Sequence, residues 1–159
     1  MTVIKNGQPA TSAWQHLEDD EQPGGAPFTV SLTRWLESGK NLAELGQPVG
    51  VRLAAADDPA ALAGDVATLP LIVLDMATFT DGRAFSQARL LRDRHGFAGE
   101  LRARGDFLRD QMFFLRRVGV DAFEFPEGTD LQDRLKAFEE FSVTYQAAVD
   151  NPEPLYRRR

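Results

Sequence analysis

Two arginines one residue apart, Arg102 and Arg104, point most directly to chemistry in this sequence. Side chains of a β-strand alternate between its two faces, so both guanidinium groups are expected on the same face. If helices cover that face, each buried arginine needs an anionic partner. Guanidinium donors suit a sulfate, phosphate or carboxylate, and one interpretation is that Arg104 holds such an anion together with Arg83.

Carboxylates occur at neighbouring positions of the predicted sheet, close to where its strands end. In an α/β sheet, ligands bind outside the carboxyl ends of the strands. Asp75 ends an apolar strand and could act as a general base or bind a sugar hydroxyl. The complete set of candidate ligand-binding residues is Asp75, Asp81, Arg83, Arg102, Arg104, Asp106 and Glu124.

Each of these residues also has a purely structural interpretation. The arginines could lie solvated on an edge strand, or form internal pairs with Asp75 or Glu124. Asp75 could instead bond loop amides and turn the chain. For Asp106 and Thr129, helix capping explains the residue type without any function.

Several kinds of site are disfavoured by the sequence. The chain has no cysteine, so its own side chains cannot ligate an iron–sulfur cluster, form a disulfide or carry out thiol redox chemistry. His16 and His95 have no neighbouring acid or second histidine at metal-ligand spacing. The glycine motifs of dinucleotide and nucleotide sites are lacking as well. We therefore expect no cofactor and no metal, and no Ser-His-Asp triad.

Four strands are predicted in the main part of the chain. Residues 69–74 are apolar throughout, which is typical of a central parallel strand covered on both faces. The pair Asn6-Gly7 favours a two-residue turn, so a short N-terminal hairpin is predicted to end near Trp14. The predicted strands are residues 49–53, 69–74, 100–104 and 120–125.

Helices are predicted between and after these strands. Their signals are apolar residues at helical spacing together with capping residues at the ends. The predicted helices are residues 30–37 with a stop at Gly39, a short one capped by Asp58, residues 84–95 ending at Gly96, residues 107–118 capped by Asp106, and a long last helix from a capping box at Thr129.

Alternating strands and helices predict an α/β fold with about four mostly parallel strands. Periodicity does not distinguish a half-barrel from an open doubly wound sheet. We divide the chain into an N-terminal hairpin arm and loop at 1–28, a single α/β domain at 29–149 and a C-terminal tail at 150–159.

Charge and hydropathy limit the partners. Acidic residues outnumber basic ones by 24 to 18, giving a net charge of −6, which disfavours nucleic acid and anionic membranes. No apolar run approaches the roughly 20 residues that span a bilayer, and the N-terminus lacks a basic and then apolar leader, so we expect a cytoplasmic protein. Dimerisation through an exposed helix face stays open.

The sequence resembles a bacterial family of unknown function whose members are commonly labelled oxidoreductases involved in sulfite reduction. The resemblance rests on residues 81–92, 99–106, Asp110-Gln111 and 117–123, continues faintly at 141–146, and covers most of residues 70–146. It implies a link to assimilatory sulfite reduction, because such genes are typically found beside the sulfite reductase gene.

Two functional hypotheses follow. The first is an accessory or assembly protein of sulfite reduction that acts by binding sulfite reductase or its electron donor, because the chain lacks redox groups of its own. The second is a small enzyme or sensor that binds an anionic sulfur or phosphate compound at the strand carboxyl ends. Whether the protein is an enzyme is left open.

Overall fold

The computed structural model describes residues 2–76 and 82–140. It contains a mixed α/β fold, which confirms the predicted class. The strands are β1 (Thr2–Lys5), β2 (Gln8–Thr11), β3 (Gln15–His16), β4 (Phe28–Ser31), β5 (Val49–Leu53), β6 (Leu71–Met76), β7 (Glu100–Gly105) and β8 (Ala122–Phe125). The helices are α1 (Leu32–Ala43), α2 (Arg83–Arg89), α3 (Arg109–Arg117) and α4 (Leu131–Glu140), with a 3₁₀ turn at Pro59–Leu62 and a π-helical turn at Leu90–Arg94.

All eight strands form one sheet in the order β2-β1-β8-β7-β6-β5-β4-β3. The predicted number of about four strands is therefore wrong, although the four predicted strands are present as β5 to β8. Strands β3 to β8 are parallel to one another, whereas β1 runs antiparallel to both of its neighbours, β2 and β8. The predicted hairpin is confirmed, and its turn residues Asn6 and Gly7 have φ of 52° and 78°.

The connection between β2 and β3 requires the sheet to curl. These strands lie at opposite edges of the sheet, yet only residues 12–14 separate them in sequence. Edges separated by seven spacings of about 4.8 Å would lie roughly 34 Å apart in a flat sheet. Four extended residue steps span at most about 14 Å. The sheet is accordingly a curled, open half-barrel, which is one of the two predicted arrangements.

The two faces of the curled sheet differ in chemistry. One face carries Val51, Ile72, Leu74 and Leu101, which form the main hydrophobic core with buried residues of the helices. A smaller cluster around Phe28 continues this core under α1. The opposite, concave face carries most of the charged side chains of the strands. Burying the apolar face under helices drives the fold, and the polar face becomes the interior of the curl.

Helix α1 differs from its prediction. Residues 28–31 are the strand β4, and the helix begins at Leu32, where the Ser31 hydroxyl accepts a hydrogen bond from the Arg34 amide. The helix continues through Gly39, where it was predicted to stop. A Cβ at this position would lie 2.9 Å from the indole of Trp35. Glycine is therefore present here to make room for the tryptophan.

The predicted caps are confirmed at one helix and wrong at two. Asp58 accepts a hydrogen bond from the Ala60 amide, as predicted. Asp106 does not cap α3, because the N-cap is Leu108, whose amide donates to the side chain of Gln111. At α4 the cap is a neighbour of Thr129: Asp130 Oδ1 accepts from the amides of the second and third helical residues.

The division at residues 1–28, 29–149 and 150–159 stays a prediction, although the first range contributes three strands to the common sheet. Among residues 2–76 and 82–140 there is no helix with the length and apolar character needed to cross a bilayer. The predicted C-terminal tail lies outside the described residues.

Candidate functional site

The structure brings three of the predicted site residues into one row on the concave face. Asp75 on β6 is the register partner of Arg104 on β7, and Arg104 is the register partner of Glu124 on β8. Arg102 lies two residues earlier on the same face of β7. The strand alternation that motivated the prediction therefore holds.

Arg104 is bound to Asp75. Its Nε donates to Asp75 Oδ1 at 2.6 Å, and both side chains are about one-third exposed. Arg52 Nε lies 3.9 Å from the other carboxylate oxygen of Asp75. Within the described ranges, no hydrogen bond ends on the terminal nitrogens of Arg104. A cleft of about 230 Å³ adjoins it, lined by Arg104, Gly105, Glu124, Phe125, Pro126 and Glu127.

Arg102 is buried and bound on every nitrogen. Its side chain is 3% exposed, and its Nη1 donates to Glu124 at 2.8 Å and to the Ser12 hydroxyl at 2.9 Å. Its Nε and Nη2 both donate to Glu100 Oε1, at 2.9 and 2.7 Å. The anionic partner expected for a covered arginine is thus supplied by the chain itself.

These bonds shift the pKa values of the two carboxylates. Burial by itself raises the pKa of Glu124, but hydrogen bonds and charge from His16 and Arg102 outweigh it and hold that pKa below its usual value. The pKa of Glu100 is likewise lowered, because Lys5 and Arg102 outweigh the effect of burial. Both groups are therefore carboxylates at neutral pH.

A chain of hydrogen bonds continues from Glu124 across the interior of the curl. His16 Nε2 lies 2.8 Å from Glu124 Oε1, and His16 Nδ1 lies 2.7 Å from the Thr29 hydroxyl. Arg52 Nη1 donates to the same hydroxyl at 2.8 Å, and its Nη2 donates to the carbonyl of Leu17. Burial, with the nearby charge of Arg104, lowers the pKa of Arg52.

The order carboxylate, imidazole, hydroxyl is that of a hydrolase triad, but the geometry does not suit nucleophilic attack. Thr29 is 0% exposed, so its oxygen has no access to a substrate. That oxygen also accepts a hydrogen bond from Arg52, which lowers its nucleophilicity. These hydrogen bonds connect β3 to β8 and stabilise the curled form of the sheet.

Arg83 and Asp106 make none of the contacts of this network that are described above. Arg83 is the exposed first residue of α2. The Asp106 side chain is 76% exposed and lies 3.4 Å from Arg134 Nη2. Asp81 lies outside the described residues. The seven candidates therefore do not form one pocket in the described part of the chain.

The inner charges balance. Three arginines (Arg52, Arg102 and Arg104) lie among three carboxylates (Asp75, Glu100 and Glu124), so three positive and three negative charges sum to zero. These arginines therefore bring no excess of positive charge over the carboxylates that they face. Within residues 2–76 and 82–140 there is also no cluster of three or more His, Asp or Glu side chains that could hold a metal ion.

Sequence reasoning missed four members of this network. Arg52 and Glu100 alternate with apolar residues in their strands, as Arg102 does, so the same rule could have found them. His16 and Thr29 gave no local signal. His16 meets Glu124 only because the sheet curls, and the two residues are 108 positions apart.

Comparison with known proteins adds one finding. No curated protein is significantly similar to the chain in sequence. Residues 50–156 match the model of DUF934, described as a bacterial protein of unknown function. This match covers about two-thirds of the chain, from β5 through α4 and beyond. The chain therefore belongs to this bacterial family of unknown function.

Proposed function

We propose that the protein is an accessory or assembly protein of assimilatory sulfite reduction, which acts by binding a protein of that system. The observation that carries the proposal is the pairing of arginines with carboxylates inside the curled sheet. Arg102 and Arg104 are engaged by carboxylates of the same chain, with Arg102 bound on all three nitrogens. A surface role is then favoured over an interior ligand site.

The sulfite-reduction part of the proposal comes from the resemblance of residues 81–92 and 99–106 to the labelled bacterial family. Sulfite reduction consumes electrons, and a chain without cysteine has no thiolate with which to hold a cluster. The partner proteins are then the carriers of the redox groups. Sulfite reductase and its electron donor are the two partners that fit.

The outer surface offers contacts of the required kind. Four large apolar side chains are more than half exposed: Leu36 and Leu45 near α1, and Leu108 and Phe114 near α3. Of these, Phe114 is of the aromatic type that is enriched in the cores of protein interfaces. The net charge of −6 would steer a basic surface toward the protein.

Deletion of the gene, combined with co-purification, tests this function. We expect a deletion strain to grow poorly with sulfate or sulfite as sole sulfur source and normally with cysteine. We also expect the tagged protein to co-purify with sulfite reductase or its electron donor. Normal growth on sulfite without any such complex would overturn the proposal.

A second candidate function is binding of a sulfur or phosphate anion at Arg104. The observation that favours it is that the terminal nitrogens of Arg104 carry no hydrogen bond within the described residues, beside a cleft of about 230 Å³. Sulfite, sulfate, phosphate and adenylylated sulfate would then raise the melting temperature. The effect should vanish in Arg104→Ala and persist in Arg89→Ala, whose side chain is 61% exposed on α2.

A further inference from the structure

A second cavity lies at the other end of β8, away from the Arg104 cleft. Its volume is about 340 Å³, which is at the small end of the range for ligand pockets. The hairpin turn at Asn6 and Gly7 forms one wall, the segment entering β8 forms another, and α4 contributes an aromatic ring. The lining residues that matter chemically are Asn6, Arg92, Arg116, Asp121 and Phe138.

The positive group of this cavity is available for a ligand. The guanidinium of Arg116 lies 5.3 Å from the ring centroid of Phe138. In the described part of the chain, no hydrogen bond or ion pair ends on the Arg116 side chain. An arginine held over an aromatic ring keeps its N–H donors free at the edge, where they can bind a carboxylate with two parallel hydrogen bonds.

The negative group is Asp121, which is only partly compensated. Its Oδ1 accepts from the Leu101 amide at 2.9 Å, but its Oδ2 is 3.4 Å from Arg92 Nη2. Arg92 directs its other nitrogens at the carbonyls of Phe97, Gly99 and Gly119.

Burial raises the pKa of Asp121 even though the charge of Arg92 opposes it. The charged form of a partly buried carboxylate such as this one is stabilised by an additional positive partner. The side chain of Asp121 is 36% exposed, so such a partner can reach it.

The cavity also has an apolar part. Phe138 packs edge-on against the buried Phe123, with 5.8 Å between ring centroids. Asn6 also lines the cavity, and its side-chain amide makes no hydrogen bond within the described residues. The cavity therefore presents a donor for an anion, an acceptor for a cation and a ring for apolar contact.

We propose that this cavity binds a small zwitterion, namely a free amino acid with an apolar side chain. Its carboxylate would bind Arg116 and the Asn6 amide, its ammonium would bind Asp121, and its side chain would pack on Phe138. A ligand with only a positive charge would leave Arg116 without an anionic partner. A ligand with only a negative charge would leave Asp121 without an additional cationic partner. This inference is independent of the proposed role in sulfite reduction.

Titration with L-leucine and its two halves tests this inference. 4-Methylpentanoate lacks the amine of leucine, and 3-methylbutylamine lacks its carboxylate. In NMR spectra of the full chain, we expect L-leucine to shift the Asn6 side-chain amide and the Phe138 ring signals in a saturable manner. Each half should bind at least tenfold more weakly.

Two variants distinguish binding at this cavity from a general effect of removing one positive charge. Arg116→Gln should weaken L-leucine binding at least tenfold without lowering the melting temperature, because Arg116 is exposed. Arg89→Gln removes an exposed arginine outside the cavity and should bind as the wild type does. The proposal is overturned if none of L-alanine, L-leucine and L-phenylalanine shifts these signals saturably, if 4-methylpentanoate binds as tightly as L-leucine, or if both variants lose binding equally.

Discussion

His16 on β3 and Glu124 on β8 are joined by a contact of 2.8 Å between Nε2 and Oε1, although four strands lie between them in the sheet. This contact is a direct consequence of the curl. It places a buried carboxylate between a histidine and Arg102 Nη1, which approaches the other oxygen at 2.8 Å. The buried charges thus act as cross-links of the half-barrel.

Removing one partner of the buried pair should be strongly destabilising. Arg102→Met leaves Glu100 and Glu124 as buried carboxylates with fewer partners, and we expect a loss of about 3–5 kcal/mol in the free energy of unfolding. Adding Glu124→Gln to this variant removes one of the carboxylates that lost its arginine partner, and should restore part of the lost stability. Urea unfolding measures both effects.

Lys5→Met is the matched control for this experiment. Lys5 also binds Glu100, at 2.7 Å, but its side chain is 46% exposed. An exposed ion pair contributes at most about 1 kcal/mol. If Arg102→Met cost no more than Lys5→Met, the interior pairs would not hold the sheet together.

Stability should depend on pH through Glu100 and Glu124. The pKa of each is lower in the folded protein than its usual value, because ion pairs outweigh burial. Each therefore adds stability that is present above the unfolded pKa of about 4.3 and is lost as the pH falls through the lower folded value. Asp121 acts in the opposite direction, since burial raises its pKa.

Urea unfolding at about pH 7, 4 and 3 measures this dependence. We expect the wild type to lose stability below about pH 4.3. In Glu124→Gln the stability should be lower at neutral pH but fall less steeply in acid. If the free energy of unfolding of this variant fell as steeply in acid as that of the wild type, Glu124 would be excluded as a source of the pH dependence.

The hydrogen bonds of His16 specify its tautomer. Glu124 is a carboxylate and accepts only, so neutral His16 should carry its proton on Nε2. The Thr29 hydroxyl would then donate to Nδ1 while accepting from Arg52. Imidazole nitrogen chemical shifts distinguish the two neutral tautomers, and a proton on Nδ1 with none on Nε2 would contradict this bonding pattern.

The cap of α4 can be tested by two adjacent substitutions. Asp130 Oδ1 accepts from the Gln132 and Asp133 amides, whereas the Thr129 hydroxyl donates to the Pro126 carbonyl. We expect Asp130→Ala to cost about 1 kcal/mol and Thr129→Ala less. Thermal unfolding of the two variants provides the comparison, and the reverse order would restore Thr129 as the cap.

Much of the sheet could be predicted because apolar runs and breakers mark β5 to β8 clearly. Strand β4 was missed for a physical reason. Residues 28–31 lead directly into α1 without a breaker, so Val30 was joined to the helical pattern of Leu32, Trp35 and Leu36. Strand β3 has two residues, which is too short to show alternation.

The candidate site was predicted only in part because its contacts are set by strand register and, for His16, by the curl. Alternation correctly placed Arg102 and Arg104 on one face, and pairing with Asp75 and Glu124 was one of the interpretations left open. The sequence does not show whether an arginine finds its anion in a ligand or in a neighbouring strand. That depends on register, which local periodicity does not determine.

We propose that this protein acts by binding a component of the sulfite-reducing system. Isothermal titration of the purified chain into purified sulfite reductase, and separately into its electron donor, tests this most directly. We predict saturable binding to one of the two proteins, weakened by Phe114→Glu or by Leu36→Glu, each of which replaces an exposed apolar side chain with a charged one. Binding to neither protein would overturn the proposal.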